Sequence, residues 1–198
     1  MCIRDSIIAE LLKAAGKSVY VGGNIGRPLL PDVDGMEPGD IAVLELSSFQ
    51  LMTMEQSPDI AVITNLAPNH LDVHKSMEEY IAAKKNIFTH QGPGGLLVLN
   101  ADNGITSGFA PEARGRVTLF SRRTEPEKGV FVKDGAIWVR NDMHERPVLC
   151  LENILLPGEH NVENYMAAIA ALDGLVPDPV VRAFAQKFAG VEHRIELV

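Results

Sequence analysis

The sequence predicts an α/β fold: a mainly parallel β-sheet flanked by helices, with a small antiparallel β annex. Three observations predict it. Short apolar runs of the kind found in strands buried on both faces, Ile41–Leu46 and Ile60–Leu66, are separated by segments with helical periodicity. The spacing leaves room for right-handed helical crossovers between parallel neighbours. Near residue 129 the rhythm changes: Val130-Phe131-Val132 and Ile137-Trp138-Val139 flank Lys133-Asp134-Gly135-Ala136, and Asp-Gly between alternating segments is a hairpin signal.

In chain order, Ile7–Ala15 reads as the end of an amphipathic helix, with Ile7, Ile8, Leu11 and Leu12 apolar and Gly16 as its stop. Residues 1–6, Met-Cys-Ile-Arg-Asp-Ser, carry no capping box and follow no strand, so they read as a foreign or garbled start. Ser18–Val21 is a short strand, Ile41–Leu46 a strand containing Glu45, and Ser48–Glu55 a short helix. Ile60–Leu66 is a strand, Ser76–His90 a helix, and Gly95–Asn100 and Val117–Phe120 are further strands. The annex covers about 129–155, and helices follow at His160–Asp173 and Asp178–Phe188. Residues 7–190 therefore read as one central domain, with 191–198 the start of a link to another.

Composition narrows the classes of function. A chain of 198 residues, 46% hydrophobic and 22% charged, fits one soluble domain. It has no apolar run of roughly eighteen residues, so no membrane span is expected, and its polar start is not a secretory signal. The net charge of −8 argues against a nucleic-acid partner. Cys2 and Cys150 form neither a metal spacing nor a disulfide framework, so a reducing cytoplasm is expected.

Ligands of open parallel sheets sit beyond the carboxyl ends of the strands. Two strands end in polar clusters there: Glu45-Leu46-Ser47-Ser48-Phe49-Gln50, and Thr64-Asn65 followed by Asn69-His70-Leu71-Asp72. Glu45 and His70 could pair on a metal; equally, Glu45 could cap the next helix and His70 be a loop histidine. On a helical wheel of Ser76–His90, Met77, Tyr80, Ile81, Ile87 and Phe88 form the apolar face and Lys84 lies in its middle, with Lys85 at the edge. An ammonium there must snorkel, pair with a carboxylate such as Glu45, or lose its charge. In the last case its free amine could react, and carbamylation by CO₂ would make it a magnesium ligand. Gly22-Gly23-Asn24-Ile25-Gly26 allows close backbone approach but is not a nucleotide fingerprint, and no G-x-x-x-x-G-K-[ST] occurs. Leu156-Pro157-Gly158-Glu159-His160-Asn161 opens a helix, whose amino terminus could attract phosphate or be an ordinary cap.

Together these stretches, with Ala82-Ala83-Lys84, Asn164 and Gly190-Val191-Glu192-His193-Arg194, resemble the Mur ligase family, in its D-glutamate-adding branch. Six motifs occur in the family's order across residues 7–198, and the Ser-Ser-Phe-Gln form points to that branch. The resemblance implies an ATP-dependent amide ligase that joins D-glutamate to UDP-N-acetylmuramoyl-L-alanine through an acyl phosphate, with Mg²⁺ as cofactor. It implies that Glu45 holds one magnesium and that His70 and carbamylated Lys84 hold a second. It places Asn24, Ser47 and Gln50 at the muramoyl-alanine portion, and Asn164 and Arg194 at the nucleotide. Val73 stands where many relatives have Arg. The family's phosphate-binding loop and its two outer domains are not in this sequence. The expectation is therefore a truncated chain, inactive alone, from a monomeric cytoplasmic ligase with no nucleic-acid or membrane partner. Two other readings are open: another amide ligase of this fold, such as a folylpolyglutamate synthase-like enzyme, and a non-catalytic binding module.

Overall fold

A computed structural model describes residues 2–24, 28–67 and 76–190 of the chain. Among them two sheets occur, one of two strands and one of six. The smaller pairs β1 (Val19–Gly23) with β2 (Ile41–Glu45) in parallel, Val19 opposite Ile41 and Gly23 opposite Glu45. The larger runs in the order β3 (Ile60–Ile63), β4 (Leu96–Asn100), β5 (Arg116–Ser121), β6 (Gly129–Lys133), β7 (Ala136–Arg140), β8 (Glu145–Cys150). β3 to β6 are parallel, and β6–β7 and β7–β8 are antiparallel. The α/β architecture with a mainly parallel sheet is therefore as expected. The annex is the continuation of that sheet, joined through the parallel β5–β6 pair.

The helices are α1 (Ile3–Ala14), α2 (Ser48–Met52), α3 (Met77–Thr89), α4 (Gly104–Ser107), α5 (Glu159–Leu172) and α6 (Asp178–Ala185). α1 begins at Ile3, a turn before the expected start, and Asp5 and Ser6 are buried within it. Its amino terminus has no side-chain cap, and Gly16 at φ 79° closes its other end as the Lys17 amide donates to the Leu12 carbonyl.

The sheet separates two cores. β4 is buried on both faces because its side chains alternate between them. Leu96 and Val98 join Ile7, Leu11, Leu12 and the Tyr165–Leu172 stretch of α5, while Leu97 and Leu99 join Ala61, Ile63, Phe88 and Phe109. The apolar run of β2 does not behave in this way. Val43 is buried, but Ala42 and Leu44 face outward, Leu44 with 45% of its surface exposed. The expectation that β2 is covered on both faces is corrected here: α1 packs against only one side of the β1–β2 pair. The Asp134-Gly135 turn joins β6 to β7 as expected, with both residues at positive φ, 49° and 72°.

Candidate active site

Parallel pairing brings the carboxyl ends of β1 and β2 level, so Gly23 and Glu45 lie side by side. The chains approach closely at this point. The Asn24 amide donates to the Glu45 carbonyl at 2.6 Å, and a Cβ on Gly23 would lie 2.1 Å from that oxygen. With φ at 123°, Gly23 holds a backbone that side chains rarely adopt, and it thereby sets Asn24 beside Glu45.

Beyond β2 the chain turns into α2, and Ser47 is the N-cap. Its hydroxyl accepts from the Gln50 amide at 3.3 Å, while Gln50 Oε1 accepts from the Ser47 amide at 2.9 Å and from its hydroxyl at 3.0 Å. This reciprocal capping box fixes Ser47 at the strand end. Glu45 is therefore not the cap of the next helix. One of its carboxylate oxygens accepts from the Cys2 amide at 3.1 Å, at the start of α1.

α3 supplies the opposite wall. Ser76 caps it, accepting from the Glu79 amide, and His90 ends it. Tyr80 and Phe88 are buried in the second core, and Lys84, one turn beyond Tyr80, is half-buried. Lys84 Nζ donates to the Leu46 carbonyl at 3.3 Å. Desolvation, and then the Arg4 guanidinium, push the Lys84 ammonium below its ordinary pKa, with Glu45 pulling the other way. Lys85 differs: it pairs with Glu112 at 2.6 Å and lies 5.0 Å from the Phe109 ring centre. Asn86 ties the two walls together, donating to the Leu51 carbonyl at 2.9 Å.

The result is a cleft of about 230 Å³ between β2–α2 and α3, lined by Asn24, Glu45, Ser47, Phe49, Tyr80 and Lys84 among others. A carboxylate and a partly desolvated lysine in one polar cleft can hold a hard cation or orient an anionic substrate. Of the expected site residues, Asn24, Glu45, Ser47 and Lys84 meet here. Gln50 is committed to the capping box. Asn164 is on α5 and does not line the cleft; its side chain donates to Asn161 Oδ1 at 3.3 Å, and buried Asn161 donates to the Pro157 carbonyl at 2.7 Å. His70 and Arg194 lie outside the described residues.

Sequence reading missed the start of α1 as a neighbour of the site. Arg4 donates to Thr64 Oγ1 at 3.0 Å and pairs with buried Asp5 at 2.9 Å. The Cys2 thiol donates to Asp5 at 2.9 Å, and burial pushes its pKa up to about 11. Cys2, Asp5 and Glu45 offer ligand atoms within 4.8 Å of one another.

The family profile described as Mur ligase middle domain matches residues 5–172. A UDP-N-acetylmuramoylalanine–D-glutamate ligase of Acetivibrio thermocellus is 52% identical over 193 residues, covering 98% of this chain and 41% of that protein. One of the same name from Symbiobacterium thermophilum is 52% identical over 197 residues, covering 98% and 43%. The chain thus spans about two fifths of the length of these relatives. Among solved structures, a UDP-N-acetylmuramoyl-L-alanyl-D-glutamate–2,6-diaminopimelate ligase superposes with a TM-score of 0.75 at 22% identity, covering 99% of this chain and 46% of its own. A likeness at that identity speaks to the fold alone.

Proposed function

This chain belongs to the Mur ligase family, and from that premise we propose that it is a central portion, without the phosphate-binding loop and inactive alone, of a cytoplasmic ligase that uses ATP to add D-glutamate to UDP-N-acetylmuramoyl-L-alanine. The observation that carries the reading is the meeting of Glu45 and Lys84 in one cleft with Asn24 and Ser47, in a chain about half identical to relatives of that name.

The residues suit magnesium. The Glu45 carboxylate is a hard oxygen donor. Lys84 cannot ligate as an ammonium, but burial favours its neutral amine. The amine nitrogen can attack the carbon of CO₂, form an N–C bond and release a proton to solvent, which leaves a carboxylate. Glu45 would then hold one Mg²⁺, and carbamylated Lys84 with His70 a second. When bound, the metal neutralises charge on the phosphoryl oxygens.

In the proposed reaction a substrate carboxylate oxygen attacks the γ-phosphorus of ATP and ADP leaves, which gives an acyl phosphate. The D-glutamate nitrogen attacks the acyl carbon, and the tetrahedral intermediate expels phosphate with loss of a proton. Asn24 and Ser47 would orient the muramoyl-alanine portion; Gln50 would contribute by fixing Ser47. Asn164 and Arg194 would face the nucleotide. Phe49 and Tyr80 line the same cleft and would help to keep water from the acyl phosphate.

The test is a chimaera in which residues 7–190 replace the matching segment of the Acetivibrio thermocellus relative. Phosphate release should require ATP, UDP-N-acetylmuramoyl-L-alanine and D-glutamate together, and Lys84→Ala should reduce it at least a hundredfold. Release that proceeds as well with another amino acid, or that survives Lys84→Ala, would reject the reading.

A further inference from the structure

We propose that the first turn of α1 competes with divalent cations for Glu45, so that this chain carries a built-in restraint on its own metal site. The inference rests on the reading that Glu45 is a metal ligand. Two features of that turn act on the carboxylate. The Cys2 amide donates to Glu45 Oε2 at 3.1 Å, so Glu45 supplies the cap that α1 does not receive from its own N-cap side chain. The free amides of a helix start carry partial positive charge, which holds a carboxylate and repels a cation. Two residues on, the Arg4 guanidinium adds a full positive charge within electrostatic reach of both Glu45 and Lys84.

The turn is held in place. Arg4 Nη1 donates to Thr64 Oγ1 at 3.0 Å, while its Nε and Nη2 meet Asp5 Oδ1 at 3.0 and 2.9 Å. Asp5 is 4% exposed and also accepts from the Cys2 thiol at 2.9 Å. Behind them Ile7, Ile8, Leu11 and Leu12 anchor α1 in the first core. Two cations, Arg4 and Lys84, thus stand with two carboxylates, Asp5 and Glu45, and these four charges cancel. A divalent cation gains little from a neutral set. Converting Lys84 to its carbamate would replace a positive charge by a negative one and leave the excess of two negative charges that Mg²⁺ matches. Removing the Arg4 charge moves the set in the same direction.

The experiment titrates this chain with Mn²⁺ at low ionic strength, following free metal by electron paramagnetic resonance, beside thermal melts. Arg4→Met removes the charge and keeps the length of the side chain; it should tighten Mn²⁺ binding about tenfold, whereas Arg4→Lys, which keeps the charge, should bind as the unchanged chain does. Cys2→Pro removes the amide donor at a φ of −82°, which proline accepts, and should also tighten binding. Adding Glu45→Gln to either variant should abolish the gain. Binding unaltered by Arg4→Met and Cys2→Pro but weakened by Glu45→Gln overturns the inference and leaves the function standing. Glu45→Gln without effect in every background, or no binding by any of these proteins, overturns both. If Arg4→Met does not fold because buried Asp5 loses its partner, Cys2→Pro decides: tighter binding by a folded protein supports the inference, and unchanged binding refutes it.

Discussion

Three glycine-to-alanine changes separate backbone strain from steric contact and test the close approach that builds the site. Gly23 has φ 123°, and its added Cβ would lie 2.1 Å from the Glu45 carbonyl oxygen and 2.7 Å from its amide nitrogen. The backbone cannot move aside as a flexible side chain would, so Gly23→Ala must part the ends of β1 and β2. The strained φ alone costs about 1–3 kcal/mol, and lost pairing between Asn24 and Glu45 adds about 1 kcal/mol. A total of about 2–4 kcal/mol lowers the melting temperature by roughly 4–16 °C in a chain of this size. Gly135 has φ 72° with nothing within 4 Å of the added carbon, so Gly135→Ala costs only the left-handed backbone, about 1–2 kcal/mol. Gly104 has neither an adverse φ nor a neighbour, so Gly104→Ala is neutral or stabilising by up to about 1 kcal/mol. The assay is thermal and urea unfolding of all three beside the unchanged chain. A Gly23→Ala protein as stable as Gly104→Ala would refute the close approach and, with it, the placement of Asn24 beside Glu45.

Other outcomes follow from the same geometry. Ser47→Ala removes half of the capping box and should cost about 1 kcal/mol by urea unfolding, with Gln50→Ala costing a similar amount if Gln50 acts through the cap. Leu99→Ala, at a fully buried position, should cost about 2–5 kcal/mol, whereas Leu44→Ala, at a 45% exposed one, should cost well under half of that. The Cys2 thiol is shifted up from 9.0 to about 11, so the stability it contributes is complete below pH 9 and lost as pH rises through about 11. Alkylation followed by peptide mass spectrometry should accordingly modify exposed Cys150 first, and Cys2 only slowly until the pH nears 11. Equal rates at about pH 8 would contradict the partial burial of Cys2.

The sequence carried the fold where a pattern has one physical reading. α3 spans the expected interval, bounded by Ser76 and His90, because its apolar face repeats with helical period and its cap is a serine. β2 misled because an apolar run shows that side chains can be buried, not that a partner covers both faces; among the described residues Ala42 and Leu44 stay exposed. α4 has only one turn, and Asp102-Asn103-Gly104 reads equally as a loop. Pro147 makes β8 read weakly as a strand, yet it is tolerated because β8 is an edge strand and the ladder is irregular opposite Ile137 and Trp138.

The site was legible where chemistry conflicted with pattern. Lys84 in the middle of an apolar face and Glu45 at a strand end are both out of place for simple packing, and both line the cleft. Ser47 and Gln50 have capping-box spacing, a signal in the sequence that favours a structural role for Gln50. Residues 1–6 read as a foreign start because they carry no capping box and follow no strand, yet the beginning of α1 brings the Cys2 amide to Glu45 and Arg4 to Thr64. Nothing in a sequence separates a tyrosine that lines a cleft from one that only packs, and Tyr80 does both.

Under the proposed function the half-buried Lys84 amine takes up CO₂ beside Glu45 to become a metal ligand. Carbon-13 NMR of the chain in ¹³C-bicarbonate with Mg²⁺ tests it most directly. One carbamate resonance is expected, which disappears in Lys84→Arg and strengthens as pH rises from about 7 to about 9. Identical spectra for the unchanged chain and Lys84→Arg across that range would contradict it.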